Sequence, residues 1–145
     1  MPYNNLRTGR HSAIGLTYHV TTVTRDRLPI FLDFDAVRLV VRQLKTLYNE
    51  GLAETVCYVL MPDHLHWLMT LRGGTLSDTV RLLKGRTARA IGGSVWQPNF
   101  HDHAVRSDED LLALARYIVA NPLRARLVET LGDYPWWDSM GLESG

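Results

Sequence analysis

The chain has one cysteine and no long apolar run, and each of these features excludes a class of protein. A single thiol, Cys57, excludes an internal disulfide, and its apolar surroundings predict a buried structural residue in a reducing compartment. No apolar run approaches the roughly 18 residues that a membrane span needs. The polar first residues lack the apolar core of a signal peptide. We therefore expect a cytoplasmic protein that does not act at a membrane.

The net charge of +1 is nearly neutral, but the charges are unevenly distributed. Residues 1–30 carry four arginines against one aspartate, and residues 72–106 carry six basic residues against two aspartates. Residues 107–145 carry seven acids against three arginines. Two basic segments in one chain are typical of a surface that meets phosphates, although a mixed solvated surface has the same composition.

The hydrophobic periodicity predicts one α+β domain over residues 1–145, with a basic arm at 1–12 and a tail at 128–145. The expected strands cover 14–23, 53–60, 64–71 and 96–105. The expected helices cover 36–50, the segment ending at Ile91, and a segment starting near Asp108. Their N-terminal caps are Asp33 or Asp35, Thr75 or Ser77, and Ser107. This order predicts a ferredoxin-like antiparallel sheet with helices on one face and an added C-terminal helix that bears a tyrosine.

The third expected strand begins with His64-Leu65-His66. Side chains alternate between the faces of a strand, so His64 and His66 point to the same side. Two imidazoles one pleat apart can chelate a metal ion from a rigid element. The same pattern also occurs in ordinary strand histidines with satisfied hydrogen bonds.

The last helix carries a second pair, Tyr117 and Asn121, which share a face because they are four residues apart. Laid over His64 and His66, this helix would bring a phenol and an amide oxygen to two imidazoles. That set fits a metal site with a nucleophile beside it. Alternatively, Tyr117 is a half-buried helix residue with its hydroxyl in water.

Several segments together closely resemble the HUH single-tyrosine transposases, and within them the REP-associated tyrosine transposases. The matching segments follow the family order over nearly the whole chain: Tyr18–Thr21, Tyr58–Met69, Leu83–Arg86, Trp96–His103, Tyr117–Ala125 and Tyr134–Trp136.

The resemblance implies a single-stranded DNA endonuclease and strand transferase that acts on hairpins through a 5′-phosphotyrosine. Tyr117 would be the nucleophile, and His64 and His66 would bind Mg²⁺ or Mn²⁺. Asn121 would be the third ligand, where the insertion-sequence branch usually has glutamine.

The resemblance also implies partners and a setting. The expected targets are hairpins of repetitive extragenic palindromes, and Arg7, Arg10, Arg81, Lys84 and Arg89 are expected to hold the DNA backbone. The expected enzyme is a monomer with its active site in cis, associated with the nucleoid in the bacterial cytoplasm.

Two other functions remain open from the residues alone. A non-catalytic ferredoxin-like nucleic-acid-binding module would need exposed aromatic residues on its sheet face, where this sequence has His64 and His66. Trp96, Phe100 and Trp67 are candidates for stacking on the bases of a DNA hairpin, although burial in the core is favoured for Trp67. The other is a small metal-dependent hydrolase or nucleotidyl enzyme with a His-hydrophobic-His strand. Those that use a third histidine two positions on would need it at position 68, which is a leucine here.

Overall fold

The structure is a computed structural model that describes residues 12–120 and the backbone of residues 137–139. Two short 3-10 turns, Arg25–Arg27 and Ile30–Leu32, connect the first strand to the first helix. The strands are β1 (Thr17–Val23), β2 (Ala53–Met61), β3 (His64–Leu71), β4 (His101–Val105) and β5 (Trp137–Ser139), and the helices are α1 (Phe34–Asn49), α2 (Leu76–Ile91) and α3 (Asp108–Val119).

The five strands form one antiparallel sheet in the order β4-β1-β3-β2-β5. The predicted hairpin of β2 and β3 is confirmed, with Met61 opposite His64 across the turn. Strand β3 lies at the centre and is paired on both sides, with β1 and with β2. The strand that carries His64 and His66 is therefore held by two backbone ladders, which gives the side chains a rigid base.

Helices α1 and α2 pack on one face of the sheet and enclose the main apolar core. Strand β3 contributes Leu65, Trp67 and Met69 to this core, as its alternating pattern predicts. Trp67 is fully buried, and its indole N–H donates to Thr55 Oγ1 at 2.9 Å. The predicted α+β ferredoxin-like arrangement is confirmed.

Helix α3 packs on the opposite face and encloses a second, smaller core. Ala115 and Ile118 of the helix pack there with Cys57 of β2 and Leu68 of β3. Burial raises the pKa of Cys57 to about 12, which agrees with the predicted structural thiol. Because Leu68 and His66 are two residues apart on one strand, α3 lies on the face that presents the histidines.

Side-chain caps fix where the helices start. Asp33 Oδ1 accepts from the Asp35 N–H at 2.9 Å, and Thr75 Oγ1 accepts from the Asp78 N–H at 3.1 Å. Ser107 caps α3 as predicted. Helix α1 starts at Phe34, two residues before the predicted start, because the cap is Asp33 rather than Asp35.

The strand predicted over 96–105 is wrong in its first half, since β4 begins only at His101. The Lys84 ammonium group of α2 donates to the carbonyl oxygens of Gln97 at 2.6 Å and Asn99 at 3.1 Å. These carbonyls are therefore bound by a helix side chain instead of a neighbouring strand.

The strand predicted over 14–23 is also too long, since β1 begins at Thr17. Gly15 has a φ of 95°, which lies outside the extended region and turns the chain before the strand starts. Its N–H still donates to the carbonyl of Leu71 at 2.7 Å, so the turn is tied to the end of β3.

Candidate active site

The strand registers bring five of the chain's six histidines to the α3 side of the sheet. His66 lies opposite Thr21 of β1, and His19 of β1 lies opposite His103 of β4. Residues directly opposite each other across a ladder point to the same face. The face thus carries a band of imidazoles across three strands: His64, His66, His19, His101 and His103.

His64 is anchored by the residue that precedes it. Its Nδ1 lies 2.7 Å from Asp63 Oδ1, and the other carboxylate oxygen accepts from the Arg27 guanidinium at 3.0 Å. Burial by itself would raise the pKa of Asp63. The hydrogen bonds and charges of His64 and Arg27 outweigh burial and leave the pKa of this carboxyl below its ordinary value. Asp63 is therefore an anion and a strong acceptor at neutral pH.

His66 is anchored by the neighbouring strand. Its Nδ1 lies 3.0 Å from Nε2 of His19, and the two rings stack with centroids 5.2 Å apart. The Thr21 hydroxyl is 3.4 Å from both nitrogen atoms. Burial, and after it the charge of His103, lower the pKa of His19 to about 4. His19 is thus neutral at physiological pH and can accept a hydrogen bond at one ring nitrogen.

His64 and His66 form a pair suited to a divalent cation. Their ring centroids are 4.9 Å apart at an interplanar angle of 81°, and both side chains are partly exposed. Imidazole is a ligand for many transition metals, and a carboxylate on the other ring nitrogen is the usual support of a ligating histidine. Within residues 12–120, no group of three or more His, Cys, Asp or Glu side chains is arranged to hold a metal ion.

Tyr117 lies on α3 between the residues that hold the helix to the sheet. Ala115, Ile118 and Val119 are buried in the second core, whereas the Tyr117 side chain is 55% exposed. Helix α3 ends at Val119, before the predicted interruption at Asn121-Pro122. Asn121 itself lies outside the described residues, so its ligand role stays a prediction.

The predicted DNA-binding residues fall into two groups. Arg7 and Arg10 lie outside the described residues. On α2, Arg81 and Arg89 are exposed, and Arg81 pairs with Asp78 at 2.6 Å. Lys84 is partly buried against the segment that precedes β4, and burial lowers its pKa to about 8.

The aromatic residues proposed for stacking do not lie on the open sheet face. Trp67 is fully buried, and Trp96 is buried with its indole N–H donating to Thr87 Oγ1 at 2.8 Å. Phe100 packs partly against the main core. The expected role in base stacking is therefore wrong for Trp96, and the burial favoured for Trp67 is confirmed.

Three residues that no sequence pattern assigned to the site support the histidine pair. Asp63 and His19 contact it directly, and Arg27 contacts Asp63. Asp63 is adjacent to His64 in sequence, and a carboxylate next to a proposed ligand is a local signal that was available. His19 shares the face of Thr17 and Thr21 in β1, but its contact with His66 depends on the strand register.

Arg27 and Asp26 have positive φ values of 52° and 55°, which side chains other than glycine rarely adopt. The Thr24 N–H donates to the carbonyl oxygen of Asp63 at 2.9 Å, and the Thr24 hydroxyl donates to the carbonyl oxygen of Leu28 at 2.7 Å. The strained turn after β1 is thereby joined to the turn before His64. Strained backbone of this kind often occurs at functional sites.

No helix among the described residues is long and apolar enough to cross a membrane.

The family model described as IS200-like transposase matches residues 12–121. The chain is 33% identical over 86 residues to the REP-associated tyrosine transposase of Escherichia coli strain K12, covering 57% of this chain and 52% of that relative. The match thus spans about half the length of the E. coli protein. A Haemophilus influenzae protein, provisionally named as a REP-associated tyrosine transposase, is 27% identical over 144 residues, covering 84% of this chain and 78% of that relative.

The chain is also similar to solved structures of transposases. A REP-associated tyrosine transposase bound to a REP hairpin superposes with a TM-score of 0.78 and 27% identity, covering 88% of this chain and 79% of that chain. A crystal structure of a provisionally named transposase from Deinococcus radiodurans has a TM-score of 0.53 and 26% identity, covering 76% of this chain and 93% of that chain.

Proposed function

The chain belongs to the IS200-like transposase family, and we propose that it is a metal-dependent endonuclease and strand transferase for single-stranded hairpin DNA. One observation carries this proposal. Helix α3, which bears Tyr117, packs on the same sheet face as His64 and His66. A phenol and two imidazoles thus occupy one side of a rigid sheet, which is the arrangement that a tyrosine nucleophile beside a metal site requires.

The proposed reaction conserves the phosphodiester bond energy. The Tyr117 oxygen loses its proton and attacks the scissile phosphorus, and a new bond joins the tyrosine to the 5′ phosphate. The bond to the 3′ oxygen breaks, and that oxygen takes up a proton and leaves as a hydroxyl. A 3′ hydroxyl from the same or another strand then attacks the phosphotyrosine, which restores the phenol and joins the DNA.

His64 and His66 hold the metal in this proposal, with Asn121 as the third protein ligand. Once bound to these ligands, Mg²⁺ or Mn²⁺ supplies charge stabilisation to the phosphate and favours the nearby phenolate. The protein's own contribution is to hold the imidazoles on a doubly paired strand and to keep Tyr117 on a helix anchored by Ile118.

The substrate class follows from the relatives. A structural neighbour was solved with a REP hairpin, and we extend that ligand class to this chain. Arg7, Arg10, Arg81 and Arg89 then hold the DNA backbone, because arginine neutralises phosphates and contributes affinity at any sequence. Lys84 is the fifth residue predicted for this set, but its ammonium group donates to two backbone carbonyls, so the four arginines make the backbone contacts in this proposal.

A non-catalytic nucleic-acid-binding module is the second candidate, and the sheet face argues against it. Such modules stack bases on exposed aromatic residues of the sheet. In the described strands β1 to β4, the aromatic residues Tyr18, Tyr58 and Trp67 all belong to the main core on the other face. The α3 side presents histidines instead.

The test is to incubate the protein with a labelled single-stranded REP-like hairpin, with Mn²⁺ or with a chelator. Cleavage that requires Mn²⁺, together with binding that survives the chelator, is the expected result. Binding without cleavage under every metal condition would favour the non-catalytic module.

A further inference from the structure

We propose that Asp63 and His19 are positioning residues that hold His64 and His66 in the tautomer with hydrogen on Nδ1, so that Nε2 of each ring faces the metal. The proposal rests on the proposed function, because it concerns the orientation of the ligands in that site. Its basis is that Nδ1 of each histidine contacts a neighbouring side chain. Nδ1 of His64 contacts Asp63 at 2.7 Å, and Nδ1 of His66 contacts His19 at 3.0 Å.

The hydrogen bond at His64 has only one direction. A carboxylate has no proton to donate, so Asp63 Oδ1 must accept a hydrogen atom from Nδ1 of His64. A neutral imidazole with hydrogen on Nδ1 has its lone pair on Nε2, and that atom can bind a metal.

Asp63 is held in place at both its side chain and its backbone. Arg27 donates to its second carboxylate oxygen at 3.0 Å. The Thr24 N–H donates to the backbone carbonyl of Asp63 at 2.9 Å. The acceptor for His64 is therefore fixed before any ligand arrives, which is the arrangement that preorganises a ligating histidine.

The hydrogen bond at His66 joins two imidazoles, so one ring must donate and the other accept. Ligation through Nε2 of His66 requires its hydrogen atom on Nδ1, and Nε2 of His19 then accepts it. His19 must in turn carry its own hydrogen atom on Nδ1. The Thr21 hydroxyl, 3.4 Å from both nitrogen atoms, lies beside this contact.

The tautomers are measured directly by ¹⁵N-edited NMR of the imidazole rings in the full-length, metal-free protein at neutral pH. The expected result is hydrogen on Nδ1 in both His64 and His66, and on Nδ1 in His19. Hydrogen on Nε2 of His64 or His66 would overturn the proposal. This experiment uses the wild-type chain, so it does not depend on whether a variant folds.

Metal affinity gives a second readout, measured by calorimetry with Mn²⁺ alone. Asp63→Ala and His19→Ala are each expected to weaken binding by about 10- to 100-fold, the usual effect of losing the partner of a ligating histidine. Asp63→Asn is expected to recover most of the affinity, because its amide oxygen still accepts from Nδ1 of His64. His101→Ala removes an exposed imidazole from the same face and serves as the matched control, with affinity equal to that of the wild type.

The outcomes separate this proposal from the proposed function. If the wild type binds no Mn²⁺, both fail. If the wild type binds Mn²⁺ and both alanine variants bind it equally tightly, only the positioning role of Asp63 and His19 fails.

Discussion

His66 and His19 meet across the central ladder of the sheet, with Nδ1 of one ring 3.0 Å from Nε2 of the other. His19 is partly buried at this contact, and burial, followed by the charge of His103, lowers its pKa from 6.5 to about 4. The unfolded chain therefore takes up a proton at His19 at a higher pH than the folded protein does. Acidification from about pH 6.5 to about pH 4 must then favour unfolding.

The first prediction follows from this difference in pKa. Between pH 7 and pH 5, the free energy of unfolding should fall by about 2 kcal/mol through His19 alone. Replacing His19 with glutamine removes the titrating group, so the fall should be smaller by that amount. Urea unfolding of both proteins at the two pH values measures it. An equal fall in wild type and His19→Gln would show that His19 titrates normally in the folded protein.

The second prediction concerns Lys84, which binds the carbonyls of Gln97 and Asn99. Lys84→Ala leaves these two acceptors without their donor, so the free energy of unfolding should fall by about 1–3 kcal/mol. Arg81→Ala, on the same helix, removes an exposed ion pair with Asp78. It should change the free energy of unfolding by less than about 0.5 kcal/mol. Equal losses in the two variants, measured by urea unfolding, would contradict the structural role of Lys84.

The third prediction concerns the ligands. His66→Ala should weaken Mn²⁺ binding and hairpin cleavage by at least about 100-fold, because a site with three protein ligands cannot spare a rigid one. Asn121→Ala should have a milder effect. Calorimetry and a cleavage assay measure both quantities. Unchanged Mn²⁺ affinity in His66→Ala would remove His66 from the metal site.

The fourth prediction is that each active site is built within one chain. The described α3 packs on strands of its own chain through Ala115 and Ile118, which supports assembly in cis. A mixture of His66→Ala and Tyr117→Phe should then regain no cleavage at any ratio, because no site holds both the imidazole pair and the phenol. Recovery towards half of the wild-type rate, with a dimer mass in solution, would instead show that the helix is exchanged between chains.

Local patterns predicted the parts of the site that lie on single elements. Strand alternation placed His64 and His66 on one face, and the cap at Ser107 located the start of α3. These features depend on residues close in sequence, so propensity and periodicity are sufficient to find them.

The remaining parts depend on contacts between distant segments. The His19–His66 contact requires the register of β1 on β3, with Thr21 opposite His66, and no local pattern determines that register. The segment before β4 also depends on a distant contact, because Lys84 of α2 binds the carbonyls of Gln97 and Asn99. The contact between Asp63 and His64 does not depend on distant segments, because the two residues are adjacent in sequence.

The central claim is that Tyr117 is the nucleophile, and the structure narrows the alternatives. Tyr18 and Tyr58 are buried at 3% and 8% exposure, and the Tyr18 oxygen accepts from the Ala13 N–H at 2.9 Å. Tyr48 is exposed, but it lies on α1, across the sheet from the histidine pair. Tyr3 and Tyr134 lie outside the described residues.

The most direct measurement is to trap the protein–DNA adduct with a single-stranded hairpin and Mn²⁺, digest it with trypsin and locate the modified peptide by mass spectrometry. Cleavage after Arg116 and Arg124 isolates residues 117–124, a peptide with Tyr117 as its single tyrosine. We predict that the nucleotide is attached to this peptide, and that Tyr117→Phe binds the hairpin but forms no adduct. An adduct on any other tyrosine peptide, or one that persists in Tyr117→Phe, would contradict the account.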